Sequence, residues 1–263
     1  MSLPAADAPR RKQEIPAGLA LSPGGRQLYV CGSLSNRLYE LDAAQGTLLR
    51  SWDVGVAPFD VVLAGDKAYV SCWGGRRPQP GDLTGPAGRG TEVKVDPVRH
   101  IASEGSLSVI DLSGRAPVKH ILAHLHASAL ALSPDGRYVV CANAGSDNLT
   151  VVATADDAVI ETIWVKASPH DLFGAQPNAL CFSSDGTRLY VANGTQNAIA
   201  VVDFRPGESR LRGLVPVGWF PRRGSLRPGT GISWRSPISK ACRRRRGHGV
   251  KARATTRTST PAR

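Results

Sequence analysis

The chain has 263 residues, 41% of them hydrophobic, with 28 glycines and 19 prolines. This suffices for one large all-β domain or two small ones and describes a turn-rich globular protein. No run approaches the ~18 consecutive apolar residues of a membrane span, and Arg10, Arg11 and Lys12 lead into no apolar segment, so neither a membrane helix nor an export signal is expected. The net charge of +12 does not describe the body of the chain: all 21 Asp and Glu precede residue 222, against 20 Lys and Arg, and the other 13 basic residues fall at 222–263. A uniformly basic nucleic-acid-binding surface is thereby excluded for residues 15–221.

Residues 1–14 are polar and are expected to be disordered. From residue 15 the sequence repeats. Ser22-Pro23-Gly24-Gly25-Arg26-Gln27-Leu28-Tyr29-Val30 returns weakly as Ala64-Gly65-Asp66-Lys67-Ala68-Tyr69-Val70. It returns strongly as Ser133-Pro134-Asp135-Gly136-Arg137-Tyr138-Val139-Val140 and as Ser183-Ser184-Asp185-Gly186-Thr187-Arg188-Leu189-Tyr190. Each copy reads as a hairpin. Each is followed by a β-branched third strand of period two, at Asn36–Asp42, Ser106–Leu112, Asn148–Val152 and Asn197–Asp203, and then by a fourth, at Leu48–Val54, Val118–Leu122, Val159–Val165 and Arg212–Val217. Four strands per repeat make the blade of a β-propeller, so an all-β fold is expected with blades at 15–54, 58–122, 128–165 and 177–217. The equivalent positions Tyr29, Tyr69, Val140 and Tyr190 lie 40, 71 and 50 residues apart. The two longer spacings place insertions at Gly74–Glu104 and Lys166–Ala175.

The cysteines, at 31, 72, 141, 181 and 242, show no CxxC and no paired spacing, which argues against a zinc cluster, c-type haem or a disulfide framework. Cys31, Cys72 and Cys141 occupy successive short strands and read as small buried hydrophobes. From Arg222 the repeat stops. Residues 222–263, including Arg243-Arg244-Arg245-Arg246, hold too little apolar material to fold. They read as a disordered tail or an out-of-frame extension, with a basic arm for nucleic acid as the alternative.

In an antiparallel blade, the connections from second to third strand and from one blade to the next emerge on one face. Both insertions fall there. Loops of this length are more often functional than idle. On that face Trp73, Arg76, Arg77, Asp82, Arg89, Arg99, His100, His126, His170, Asp171 and Trp219 offer cationic, aromatic and imidazole groups for a polar or anionic ligand. The competing reading is that the Arg and Asp residues pair with each other, and that Trp73 and Trp219 pack between blades. Alternation in His124-Leu125-His126 would point both imidazoles one way, but spacing fixes no third metal ligand, so a solvated or hydrogen-bonded pair is expected. His120 reads as a surface residue of an outer strand. No G-x-S-x-G, H-E-x-x-H, P-loop or dinucleotide fingerprint is present, so no catalytic residue, metal or cofactor is assigned.

Leu189-Tyr190-Val191-Ala192-Asn193-Gly194 and Ser108-Val109-Ile110-Asp111 resemble the YVTN-type (YncE-like) β-propeller repeat, whose relatives include seven-bladed lactonase-like propellers. Pro177-Asn178-Ala179-Leu180, Tyr190–Asn197 and Val217-Gly218-Trp219-Phe220-Pro221 resemble, more closely, the propeller half of bacterial fusions to an alkaline-phosphatase-superfamily phosphoesterase. The resemblance implies a ring of about seven blades, of which four are present, and a truncated relationship to proteins that are exported and carry a phosphoesterase domain not seen here. The expected function is a non-catalytic module presenting a ligand- or partner-binding loop face. The alternatives are a lactonase-like hydrolase and a nucleic-acid binder acting through the tail. Two blade faces without neighbours are expected to expose apolar surface and to favour self-association.

Overall fold

A computed structural model describes residues 3–6, 8, 11–87, 91–168, 170–222, 225–226 and 232–233. Among these residues there are strands and no helix. The first sheet holds β1 (Pro16–Leu21), β2 (Gln27–Gly32), β3 (Arg37–Asp42) and β4 (Leu48–Asp53). The second begins with β5 (Pro58–Ala64) and β6 (Lys67–Cys72), is interrupted by a separate hairpin of β7 (Thr84–Ala87) and β8 (Thr91–Lys94), and ends with β9 (Gly105–Asp111) and β10 (Lys119–Ala123). The third holds β11 (Ala127–Leu132), β12 (Tyr138–Asn143), β13 (Asn148–Ala153) and β14 (Ala158–Trp164). The fourth holds β15 (Pro177–Phe182), β16 (Arg188–Asn193), β17 (Ala198–Asp203) and β18 (Arg210–Pro216). The short strands β19 (Ser225–Leu226) and β20 (Ile232–Ser233) pair antiparallel. Every sheet is an antiparallel meander, and the first strands follow one another in the order β1, β5, β11, β15, which is a β-propeller of four four-stranded blades.

The repeated hairpin turn has a direct physical cause. The hydroxyls of Ser22, Ser133 and Ser183 accept the backbone N–H groups of Gln27, Tyr138 and Arg188 at 3.0, 2.9 and 2.9 Å. The chain turns through Gly25, Gly136 and Gly186 at φ values of +68°, +74° and +72°, where a β-carbon would be strained. Blade 2 lacks the serine and closes through a tighter turn at Gly65, φ +57°.

The core lies between the blades. Val70 and Cys72 of β6 pack towards blade 1 with Cys31, Leu38 and Ile110. Tyr69, the residue before Val70 and on the opposite face of the strand, packs towards blade 3 with Leu107, Val139 and Cys141. Val140 and Leu149 meet Leu189 and Val191 of blade 4. Both faces of a central strand are therefore apolar, which explains its continuous hydrophobic run; each fully buried Val or Leu side chain contributes about 1.5–3 kcal/mol. Cys31, Cys72 and Cys141 are buried and unpaired members of these cores, and Cys181 is half-buried. Cys242 lies outside the described residues.

The N-terminal segment differs from the expected disorder where it is described. Leu3 packs on Val30, Tyr39 and Leu41, the face of blade 1 turned away from blade 2, and Ala6 and Ala8 are buried. Glu14, also buried, accepts hydrogen bonds from the N–H groups of Ile15, Leu34 and Ser35. The cause is the apolar end face of blade 1, which this segment covers in part; Leu19 and Leu21 remain more than half exposed at 55% and 56%. The expectation of a disordered or out-of-frame stretch at 222–263 concerns, beyond Arg222 and the β19–β20 pair, residues outside those described.

Candidate functional site

The long insertion runs from Trp73 to Glu104, between β6 and β9. Its neck is closed by one ion pair. The backbone N–H, Nε and Nη2 of Arg76 donate to the Glu104 carboxylate at 3.1, 3.0 and 3.0 Å, a bidentate fork reinforced by the main chain. Burial pushes the Glu104 carboxyl upwards, but the hydrogen bonds and charge of Arg76 outweigh it and hold the group below its ordinary range. Gly75, at φ +79°, lies directly under Glu104, and a β-carbon there would come within 2.5 Å of its side chain.

Arg77 reaches the other way, to blade 1. It donates to the carbonyls of Val54 and Asn36 at 2.8 and 2.6 Å and to Asp53 at 3.1 Å. Asp53 also holds Arg37 at 3.0 Å. Its burial opposes ionisation, but the two guanidiniums prevail and its carboxyl lies below the usual range. Across the insertion Lys94 of β8 pairs with Asp82 at 3.4 Å.

These residues surround a cavity of about 390 Å³, lined by Asp53, Val54, Arg76, Arg77, Gln79, Asp82, Lys94 and His120. Of the residues expected to form a site, Arg76, Arg77 and Asp82 meet here. His120, read from the sequence as a mere surface residue, is exposed but belongs to the cavity wall. Antiparallel pairing places it opposite Ser108 on β9, with Nδ1 3.1 Å from the serine hydroxyl. Partial desolvation of the ring against the wall, then Arg76 and Arg77, hold its imidazole below the ordinary histidine range, with Glu104 opposing. Near neutral pH it is therefore an uncharged ring among three cations and two carboxylates.

The remaining expected residues do not line this cavity. Trp73 stacks on His126 with ring centroids 3.9 Å apart and planes 9° from parallel. His124-Leu125-His126 is a bend, not an extended segment, and His126 has φ +57°, so the alternation argument fails there. Its imidazole is lowered by burial. His100 is exposed in the turn after β8, where its N–H donates to the Asp96 carbonyl at 2.9 Å. His170 and Asp171 are exposed in the β14–β15 connection; Asp171 accepts the Ser168 N–H at 2.9 Å, and its carbonyl accepts Lys166 Nζ at 2.7 Å. Trp219 is 71% exposed, not packed between blades. Arg99 pairs with Asp96 at 3.3 Å, and Arg89 lies outside the described residues. Among the described residues, no group of three or more His, Cys, Asp or Glu could hold a metal ion.

Residues 91–223 match the family model described as Lactonase, 7-bladed beta-propeller. No curated protein matches the sequence. The fold is similar to that of a functionally unknown protein from Desulfotomaculum acetoxidans DSM 771, at TM-score 0.60 and 14% identity over 81% of this chain and 59% of that one. It is similar to a protein from Bacteroides fragilis NCTC 9343 provisionally named a 6-phosphogluconolactonase, at TM-score 0.53 and 14% identity over 85% of this chain and 60% of that one. It is also similar to the Cps50 (Swd1) β-propeller domain from Myceliophteria thermophila, at TM-score 0.50 and 11% identity over 78% and 59%. The chain thus spans about three fifths of the length of each of these proteins. At such identities the likeness shows the fold alone.

Proposed function

The chain belongs to the lactonase family of seven-bladed β-propellers, and from that premise we propose that it handles a sugar lactone or the acid formed from it, held in the cavity between blades 1 and 2. The observation that carries this reading is the wall itself: Arg76, Arg77, Lys94 and His120 converge on a space of about 390 Å³. Such a volume lies within the range of small-ligand pockets, and oriented guanidiniums suit carboxylate and carbonyl oxygens. In lactone hydrolysis the same donors would polarise the ring carbonyl as charge develops on its oxygen.

A second reading, binding without turnover, is favoured by the state of the carboxylates. Asp53 and Asp82 on the wall, and Glu104 behind Arg76, are each engaged with a cation, which leaves no unengaged carboxylate among the described residues of the wall as a general base. The name of the Bacteroides fragilis neighbour makes 6-phosphogluconolactone and 6-phosphogluconate suitable first probes. Calorimetric binding of 6-phosphogluconate by the full chain, weakened at least tenfold in Arg77→Ala, is the expected result. Undiminished binding in that variant would remove the cavity from the account. Turnover of the lactone above its spontaneous rate, abolished in His120→Ala, decides for the hydrolase; binding with no turnover decides for the binding module.

A further inference from the structure

We infer that the cavity takes its ligand as an anion and that His120 binds a proton together with it, an inference that rests on the ligand-binding reading above. The starting point is the buried hydroxyl of Ser108. Its oxygen accepts the Gly55 N–H at 3.1 Å and lies 3.5 Å from Cys72 Sγ and 3.1 Å from His120 Nδ1. The Cys72 thiol has the Val70 carbonyl as an acceptor for its own proton at 3.7 Å, and its sulfur, the farther neighbour, is a weaker hydrogen-bond acceptor than an imidazole nitrogen. The serine proton is thereby directed to Nδ1. The neutral ring then carries its hydrogen on Nε2, the remaining ring nitrogen and a donor.

The groups around this ring come from several elements: Asp53 at the end of β4, Arg76, Arg77 and Asp82 in the insertion, Lys94 on β8, and Glu104 behind Arg76. Partial desolvation of the ring, and after it Arg76 and Arg77, act against protonation of the imidazole. A carboxylate or phosphate placed among these donors offsets the guanidinium charge and adds an attractive partner for the imidazolium. When the ring takes a proton from solvent, Nδ1–H donates to Ser108 Oγ, whose own hydrogen can turn towards Cys72 Sγ. An uncharged ligand supplies no such compensation. By linkage, anion binding and proton binding then reinforce each other to the same extent in either order.

The test is calorimetric titration of the full chain with gluconate and with its uncharged δ-lactam, between pH 5 and pH 8, in two buffers of different ionisation enthalpy. Gluconate is expected to bind up to about tenfold more tightly at pH 5 than at pH 8, with net proton uptake, since each unit of pKa displacement is a factor of ten. The lactam's affinity is expected to stay level, and His120→Gln, which retains an N–H donor but cannot titrate, should flatten the gluconate profile. Gluconate binding without proton uptake, or a pH dependence that survives in His120→Gln, overturns the inference and leaves the binding site standing. If neither probe binds at any pH, the binding reading fails and takes this inference with it.

Discussion

Blades 1, 3 and 4 close their second-to-third turn onto their own outgoing crossover, whereas blade 2 does not. In the three uniform blades Asn36, Asp147 and Asn197 sit at φ +54°, +54° and +52°. Their carbonyls accept the N–H groups of Val54, Val165 and Val217 at 3.0, 3.2 and 2.8 Å. Their side chains accept those of Ala57, Gln176 and Phe220 at 2.8, 3.0 and 2.9 Å. Short polar residues tolerate the left-handed conformation and bond their local backbone, which is why Asn and Asp fill this position. Blade 2 extends that turn into the excursion from 73 to 104. Its crossover residue His126 is held by the Trp73 ring instead, and the excursion hooks onto the neighbouring clamp through Arg77 and Asn36. The cavity lies where the repeat is broken: with no clamp of its own, blade 2 has room for a wall of charged side chains.

The comparison breaks most visibly at Asp147. It is 2% exposed and accepts two backbone N–H groups, at 2.7 Å from Gly174 and 3.0 Å from Gln176, so Asp147→Ala should cost about 3 kcal/mol in chemical denaturation. Gly105 tests the unusual blade. A β-carbon there would lie 2.1 Å from the His124 carbonyl, and Gly105→Ala should cost about 2 kcal/mol through the backbone shift it forces. Glu104→Gln removes the charge that closes the neck. Because the folded carboxyl is held below its ordinary range, its contribution is present above that range and is lost as pH falls through the folded value. The difference between wild type and variant should be about 1 kcal/mol at pH 7, given the partial exposure of Arg76, and should close under acid conditions. Trp73→Ala is the mildest change, about 0.5–1 kcal/mol from the lost stack, and should show as faster hydrogen exchange confined to residues 124–126. Exchange that spreads through blade 3 would contradict a local role.

The blades were legible because their turns carry chemistry in the chain itself. A serine accepting from five residues on, followed by a glycine at positive φ, needs no tertiary context to be recognised. The insertion was legible for the complementary reason, as extra length between equivalent strands. The clamp was blurred by one residue: the sequence aligns Asn148 with Asn36 and Asn197, but the left-handed position in blade 3 is Asp147. His120 and Lys94 were not legible as parts of a site. An exposed residue on an outer strand looks the same in sequence whether it faces water or a cavity, and only the register of β10 against β9 sets His120 beside Ser108. Glu104 gave no signal either, because its partner Arg76 stands at the far end of a long excursion. The N-terminal residues carry no legible sign of burial, since Leu3, Ala6 and Ala8 are too few to announce it until the end face of blade 1 is there to receive them.

The most direct measurement exchanges one turn for the other. Residues 73–104 are replaced by the blade 1 turn Ser33-Leu34-Ser35-Asn36, and gluconate is titrated calorimetrically against this variant and against the unaltered chain. A folded variant is expected, with the strand signature retained in circular dichroism, that has lost the gluconate binding of the unaltered chain. A folded variant that binds gluconate as tightly as before would contradict that expectation, since the ligand would then owe nothing to the broken repeat.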